Sequence, residues 1–166
     1  MSGSIHASCV LLGGAGEAFG APPEAGVLLK GPSASGKSDL ALRLIDRGGM
    51  LVADDRTELF RDGTALAARA PCALAGLLEI RGVGILELPY AASAKITFVI
   101  ELVSQADVVR LPEADRYVPP SSLGLSREYW PPVMRVNAFA SSAVARIAAA
   151  VAAHAHSRFR HACPID

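Results

Sequence analysis

Val27-Leu28-Leu29-Lys30-Gly31-Pro32-Ser33-Ala34-Ser35-Gly36-Lys37-Ser38 is the stretch on which the fold turns. A short apolar strand runs into a glycine-bounded loop, and Gly31 to Ser38 satisfies G-x-x-x-x-G-K-[ST] at every fixed position. Glycines let the main chain wrap an anion with successive N–H groups, and the start of the following helix adds partial positive charge. In that geometry Lys37 reaches β- and γ-phosphates, and the Ser38 hydroxyl joins the shell of a Mg²⁺ ion. Gly31, Pro32, Ser33, Ala34, Ser35, Gly36, Lys37 and Ser38 together are therefore expected to bind a nucleotide or polyphosphate.

The pattern extends on both sides. Residues 38–47 place Leu40, Ala41, Leu44 and Ile45 at helical spacing, and Gly48-Gly49 stops the helix. Residues 50–53 read as a second buried strand that ends on Asp54-Asp55. Strand, loop, helix and strand make a βαβ-like unit, so the centre is α/β. Upstream, residues 5–12 read as a strand and residues 13–26 as a loop. Gly13-Gly14-Ala15-Gly16 fails as a dinucleotide fingerprint because Phe19 stands at the third glycine's place, and it is expected to be a flexible turn. Downstream, residues 57–61 and 64–68 flank Asp62-Gly63 as a hairpin. Residues 77–80 and 85–88 flank Arg81-Gly82-Val83-Gly84, residues 96–103 form a further strand, and residues 112–132 are irregular. The alanine-rich tail reads as a helix whose nearly all-apolar faces need covering by the sheet or a second subunit.

At 166 residues the chain has the size of one domain, expected over residues 1–166. Apolar residues make up 51% and charged residues 19%, which excludes a disordered chain. Sixteen basic residues balance sixteen acidic ones, and that lack of basic excess argues against nucleic-acid or anionic-membrane binding. Cys9, Cys72 and Cys163 are odd in number and far apart, a usage that fits a reducing, cytoplasmic compartment rather than a disulfide scaffold. The N-terminal residues show no signal-peptide pattern, and the tail is too weakly hydrophobic to span a bilayer. His154, His156 and His161 beside Cys163 have a spacing that points away from a metal site.

Two adjacent carboxylates at the end of a buried strand need a use. A strand running parallel to that of the loop would bring Asp54 and Asp55 beside bound phosphates. Side chains alternate along a strand, so the two serve different roles, one toward Mg²⁺ or its waters and one toward an incoming hydroxyl. Further on, Glu79 and Arg81 stand two apart, as a cross-linked structural pair or as a metal ligand with a phosphate clamp.

The loop, the helix ending Arg47-Gly48, Leu51-Val52-Ala53-Asp54-Asp55, Ala70-Pro71 and Leu78-Glu79-Ile80-Arg81-Gly82-Val83-Gly84-Ile85 occur together, in an order and spacing that resemble the bacterial HPr kinase/phosphorylase family. The resemblance covers residues 5–88 and is to the catalytic domain alone, as in shortened forms from some alphaproteobacteria. It implies a P-loop domain with a mixed β-sheet, of the HPr kinase/PEP carboxykinase type. It further implies a kinase that uses ATP and Mg²⁺ to phosphorylate a serine of HPr, the phosphocarrier protein of the sugar phosphotransferase system, and that can reverse this by phosphorolysis. By the same resemblance Lys37 binds phosphate, Ser38 and Glu79 are Mg²⁺ ligands, Asp55 is the proton acceptor and donor, and Asp54 is its partner. His6 of Ser4-Ile5-His6-Ala7 resembles the family histidine, and Arg116 of Ala114-Asp115-Arg116-Tyr117 an active-site arginine. The family's hexamers imply a homo-oligomer.

Two departures stand out. Ala7 replaces the glycine that follows the family histidine. The late Pro-Val-x-x-Gly-Arg-Asn stretch tied to dephosphorylation reads Pro132-Val133-Met134-Arg135-Val136-Asn137, without the Gly-Arg step and with Arg135 and Asn137 in its place. Two other functions fit the loop. A small-metabolite P-loop kinase normally carries an arginine-rich lid where this chain reads as hairpin and sheet. A non-catalytic nucleotide sensor would bind ATP without transfer.

Overall fold

The computed structural model describes residues 3–160. Its strands are β1 (Gly3–Leu11), β2 (Gly26–Lys30), β3 (Met50–Ala53), β4 (Arg56–Asp62), β5 (Ala65–Arg69), β6 (Leu77–Ile80), β7 (Gly84–Glu87), β8 (Ala94–Leu102), β9 (Asp115–Arg116) and β10 (Pro132–Val136). Two α-helices, α1 (Lys37–Asp46) and α2 (Ala143–Ala155), complete the fold.

The main sheet runs β3-β1-β2-β8-β10-β9. β2, β8 and β10 are parallel, whereas β1 is antiparallel to both β2 and β3. β2 and β3 thus point the same way without touching, because β1 lies between them. The βαβ unit read from the sequence is present in direction, and its two strands are split by one extra strand.

β1 and β8 are nine residues each, long enough to serve two sheets. At its start β1 leaves β2 and pairs Gly3–His6 with β4, while Ala94 and Lys95 of β8 pair with β5. The hairpin between β4 and β5 turns at Gly63-Thr64, one residue later than expected, with Gly63 at φ +60. This second layer closes over one face of the main sheet.

Two cores follow from strand alternation. Val27 and Leu29 of β2 face Leu40, Leu44, Ile147 and Val151 on the helix side. Leu28 faces the other way, onto Cys9, Val52, Leu59, Leu66 and Val99. In β8 the alternation breaks at Thr97: Gly26 pairs with Ile96 and Val27 with Phe98, so Ile96 joins the second core and Phe98 the first. A one-residue bulge of this kind re-aims every side chain after it. It lets one strand face both layers.

The glycine-rich stretch expected to be a flexible turn is a 3₁₀ helix, Gly13–Phe19. Its glycines serve tertiary packing, which local patterning does not reveal. Gly14 N–H donates to Gly48 O at 2.9 Å, and a Cβ at Gly16 would come within 2.6 Å of Leu12 and Ala21 side chains. α2 covers this turn and the sheet beside it, burying Ala143, Ile147, Ala148 and Val151. The apolar tail is therefore covered within the chain. β6 and β7 form a separate two-stranded ribbon around residues 81–83, pairing Glu79 with Ile85. His154 packs edge-to-face on Phe98 and His156 Nε2 lies 2.8 Å from Gly20 O, so the two histidines diverge; His161 and Cys163 lie outside the described residues. Among the described residues no helix is long and apolar enough to cross a membrane.

Candidate active site

The Gly31–Ser38 loop leaves the C-terminal end of β2 and enters α1 through two left-handed residues, Ala34 at φ +62 and Gly36 at φ +92. Only glycine adopts the latter readily, and here a Cβ would also meet Ala138 Cβ at 2.9 Å. No side chain caps α1, so its N-terminus lies open at the loop. Ser35 Oγ is buried with no hydrogen-bond partner among the described residues. Lys37 folds back over the loop and donates to Gly31 O at 2.8 Å and Pro32 O at 3.0 Å. An ammonium has three donors, which leaves one N–H for a ligand. Burial pulls the Lys37 ammonium below its ordinary value, and Asp55 and Asp54 act in the opposite direction.

The acidic pair sits at an interruption in one long strand. β3 and β4 pair with the same edge of β1, Cys9 with Ala53 and His6 with Arg56, so Asp54-Asp55 is the break between two halves of a single antiparallel line. Asp55 is left-handed at φ +60, a conformation Asp tolerates better than most residues. That kink separates the two carboxylates. Asp54 turns inward, 6% exposed, and its Oδ1 accepts from Ser38 Oγ at 2.8 Å and Ser8 Oγ at 2.7 Å. Asp55 turns outward, with Oδ1 3.5 Å from His6 Nδ1.

A cleft of about 550 Å³ runs from this pair across the loop. Lys37, Ser38, Asp55 and His6 line it, Glu79 and Arg81 of the β6–β7 ribbon form one wall, and Leu42 and Phe139 stand along it. Its volume falls within the range of small-molecule sites. Asp54 lies behind Ser38 and does not line the cleft. Glu79 occupies the end of β6 and Arg81 the turn after it, so the two do not share a strand face. Among the described residues no three His, Cys, Asp or Glu side chains cluster to hold a metal alone. A Mg²⁺ site completed by phosphates and waters needs no such cage.

Arg116 is not brought to this cleft. It stands on the edge strand β9, paired with Pro132 at the far end of the parallel strands, and its guanidinium donates to Trp130 O at 2.6 Å. Arg135 is held by Glu101 at 3.3 Å and Asp115 at 3.8 Å. Asn137 ties the exit of β10 to β8 by donating to Val103 O at 3.1 Å. Ser8 and Phe139 are among the site residues that sequence reading missed. A lone hydroxyl inside the apolar run Ala7-Ser8-Cys9-Val10 was the available signal for the first. Nothing local marked the second.

A family model described as the HPr serine kinase C-terminal domain matches residues 23–118, more than half of the chain. The chain belongs to that family. The chain is 54% identical over 66 residues to the HPr kinase/phosphorylase of Chromobacterium violaceum, a match that covers 39% of this chain and 21% of the relative. The HPr kinase/phosphorylase of Peptoclostridium acidaminophilum is 42% identical over 108 residues, 63% of this chain and 33% of that one. The chain thus spans a fifth to a third of the length of these curated relatives. The solved structure of the Hpr(Ser) kinase/phosphatase from Coxiella burnetii superposes with a TM-score of 0.74 at 23% identity, covering 94% of this chain and 98% of that one, which establishes the shared mixed α/β fold.

Proposed function

We propose that this chain is an ATP-dependent kinase that transfers the γ-phosphoryl group to a serine of the phosphocarrier protein HPr. The observation that carries the reading is the division of labour at the acidic pair: Asp54 is buried on Ser38 while Asp55 opens onto the cleft that Lys37 lines. A phosphate binder, a hydroxyl suited to Mg²⁺ with a carboxylate behind it, and an accessible base then meet at one space. Family membership and the HPr kinase/phosphorylase names of its relatives support the same reading.

The residues fit a bound polyphosphate. The α1 N-terminus, which no side chain caps, and the third N–H of Lys37 would offer donors to phosphate oxygens at the loop. Ser38, with Asp54 behind it and Glu79 across the cleft, would hold Mg²⁺, which when bound neutralises charge on the phosphate oxygens. Lys37 and the loop amides would orient the γ-phosphoryl group and stabilise its charge during in-line transfer. Asp55, steadied by His6, would accept the proton of the attacking serine hydroxyl as the new O–P bond forms and the bond to the ADP oxygen breaks. The reading makes HPr the protein substrate and the cytoplasm the compartment, which the widely spaced cysteines support.

The test is transfer from γ-labelled ATP to purified HPr with Mg²⁺. Label on an HPr serine, absent with Lys37→Ala, supports the kinase. ATP bound tightly with no label on HPr overturns it in favour of a nucleotide sensor, and ATP consumption with sugars or short acids in favour of a metabolite kinase.

A further inference from the structure

Phe139 is a large apolar ring, 67% exposed, on the wall of the same cleft. Its backbone is pinned from several sides. Phe139 N–H donates to Asn137 Oδ1 at 3.0 Å, Asn137 reaches back to Val103 O, and the Arg43 guanidinium donates to Ala138 O. Arg43 is itself held by Asp39 at 3.0 Å. The ring atoms lie 3.1 and 3.2 Å from where a Cβ at Gly36 would sit, so the aromatic edge meets the loop directly. An exposed ring on so fixed a segment is pre-organised for a ligand.

Strand order says which part of a ligand reaches it. Asp54 and Asp55 follow β3, two strands from β2 on one side, and Phe139 follows β10, two strands from β2 on the other. A ligand whose phosphates lie on Lys37 and Ser38 with the reacting end toward Asp55 has its other end toward Phe139. Half-buried Leu42 of α1 adds apolar surface to the same cleft.

We propose that Phe139 is the stacking platform for the base of a bound nucleoside triphosphate, with Leu42 supporting it. The proposal rests on the nucleotide reading above and adds the subsite that separates a nucleotide from a bare polyphosphate. Stacking on an aromatic face accepts any base, so it supplies affinity with little choice between purines.

The experiment is calorimetric binding of ATP, GTP and inorganic tripolyphosphate, each with Mg²⁺, to the wild type, Phe139→Ala and Phe139→Trp. Phe139→Ala is expected to weaken both nucleotides about ten-fold and leave tripolyphosphate unchanged. Phe139→Trp is expected to retain nucleotide affinity and to add a fluorescence signal, over the wild type's Trp130, that ATP quenches and tripolyphosphate does not. Equal weakening of all three ligands in Phe139→Ala would mean that the ring merely supports the loop, and unchanged ATP affinity would mean that the base lies elsewhere; either overturns the proposal. Wild type that binds tripolyphosphate and ATP equally well overturns the base subsite alone. Failure of the wild type to bind any of the three overturns the nucleotide reading and the subsite with it.

Discussion

Ser38 Oγ donates to Asp54 Oδ1 across 2.8 Å, tying the first turn of α1 to the end of β3. Sixteen residues separate the partners, and the bond is what brings the loop and the acidic pair into one site. Ser8, on the strand between them, donates to the same oxygen from the buried side. The carboxylate is thereby fixed by two hydroxyls, one buried and one facing the cleft.

Removing that acceptor strands a hydroxyl. Asp54→Ala leaves Ser8, 0% exposed, without a partner, and a buried unsatisfied polar group costs about 1–3 kcal/mol. The double variant Ser8→Ala/Asp54→Ala should recover part of that loss. Urea unfolding of the four proteins measures the coupling; strictly additive losses would show that Ser8 and Asp54 do not act together.

Asp55 is exposed and contributes little packing, so Asp55→Asn should unfold at a temperature close to that of the wild type and bind ATP with similar affinity. Transfer to HPr should fall at least a hundred-fold, the scale of a lost general base. Robust turnover by this variant would remove Asp55 from the base role.

Lys37 titrates below the ordinary lysine value near 10.5 because burial disfavours its charged form. Between the folded and unfolded values the unfolded chain holds more protons, so Lys37 makes stability rise with pH across that window. Its cost is fully present at lower pH, where it is charged in both states. Asp55 supports the charge, so Asp55→Asn should lower the Lys37 value further. Titration of ¹³Cε-labelled lysine by NMR reads this directly, and an upward shift in the variant would contradict the geometry.

Cys9 lies in the second core with no exposed surface, and burial pushes its thiol far above the usual range. Cys72 is exposed. Iodoacetamide followed by peptide mapping should label Cys72 in the native protein and Cys9 only in denaturant. Native labelling of Cys9 at a comparable rate would mean that the sheet between β1 and β8 opens readily.

Much of the fold was legible because it is local. The G-x-x-x-x-G-K-S string, the helical spacing of Leu40 and Leu44, and the hairpin near Asp62-Gly63 each encode geometry within a dozen residues, and the structure contains all of them, the hairpin turning one residue later. The 3₁₀ helix at Gly13–Phe19 escaped because its glycines answer to Gly48, Leu12 and Ala21 rather than to one another. The irregular segment before β10 hid β9, which pairs only once Pro132 and Val133 are in place. That pairing carries Arg116 to the far end of the sheet, a placement that neighbouring residues could not show.

The sequence by itself determined the chemistry available: a loop built to wrap an anion, a lysine and serine at its end, and two carboxylates closing the next strand. Periodic burial and glycine placement are short-range properties, written in consecutive residues. The tertiary structure alone decided which carboxylate is buried and which opens onto the cleft. Insertion of β1 between β2 and β3 put Ser8 under Asp54, 46 residues away, and the left-handed kink at Asp55 turned the Asp55 carboxylate out toward His6. Strand order likewise set Phe139 across the loop from the acidic pair. Such placements depend on which strand edges pair and on both faces of the sheet being buried at once, a condition of the whole chain rather than of any segment in it.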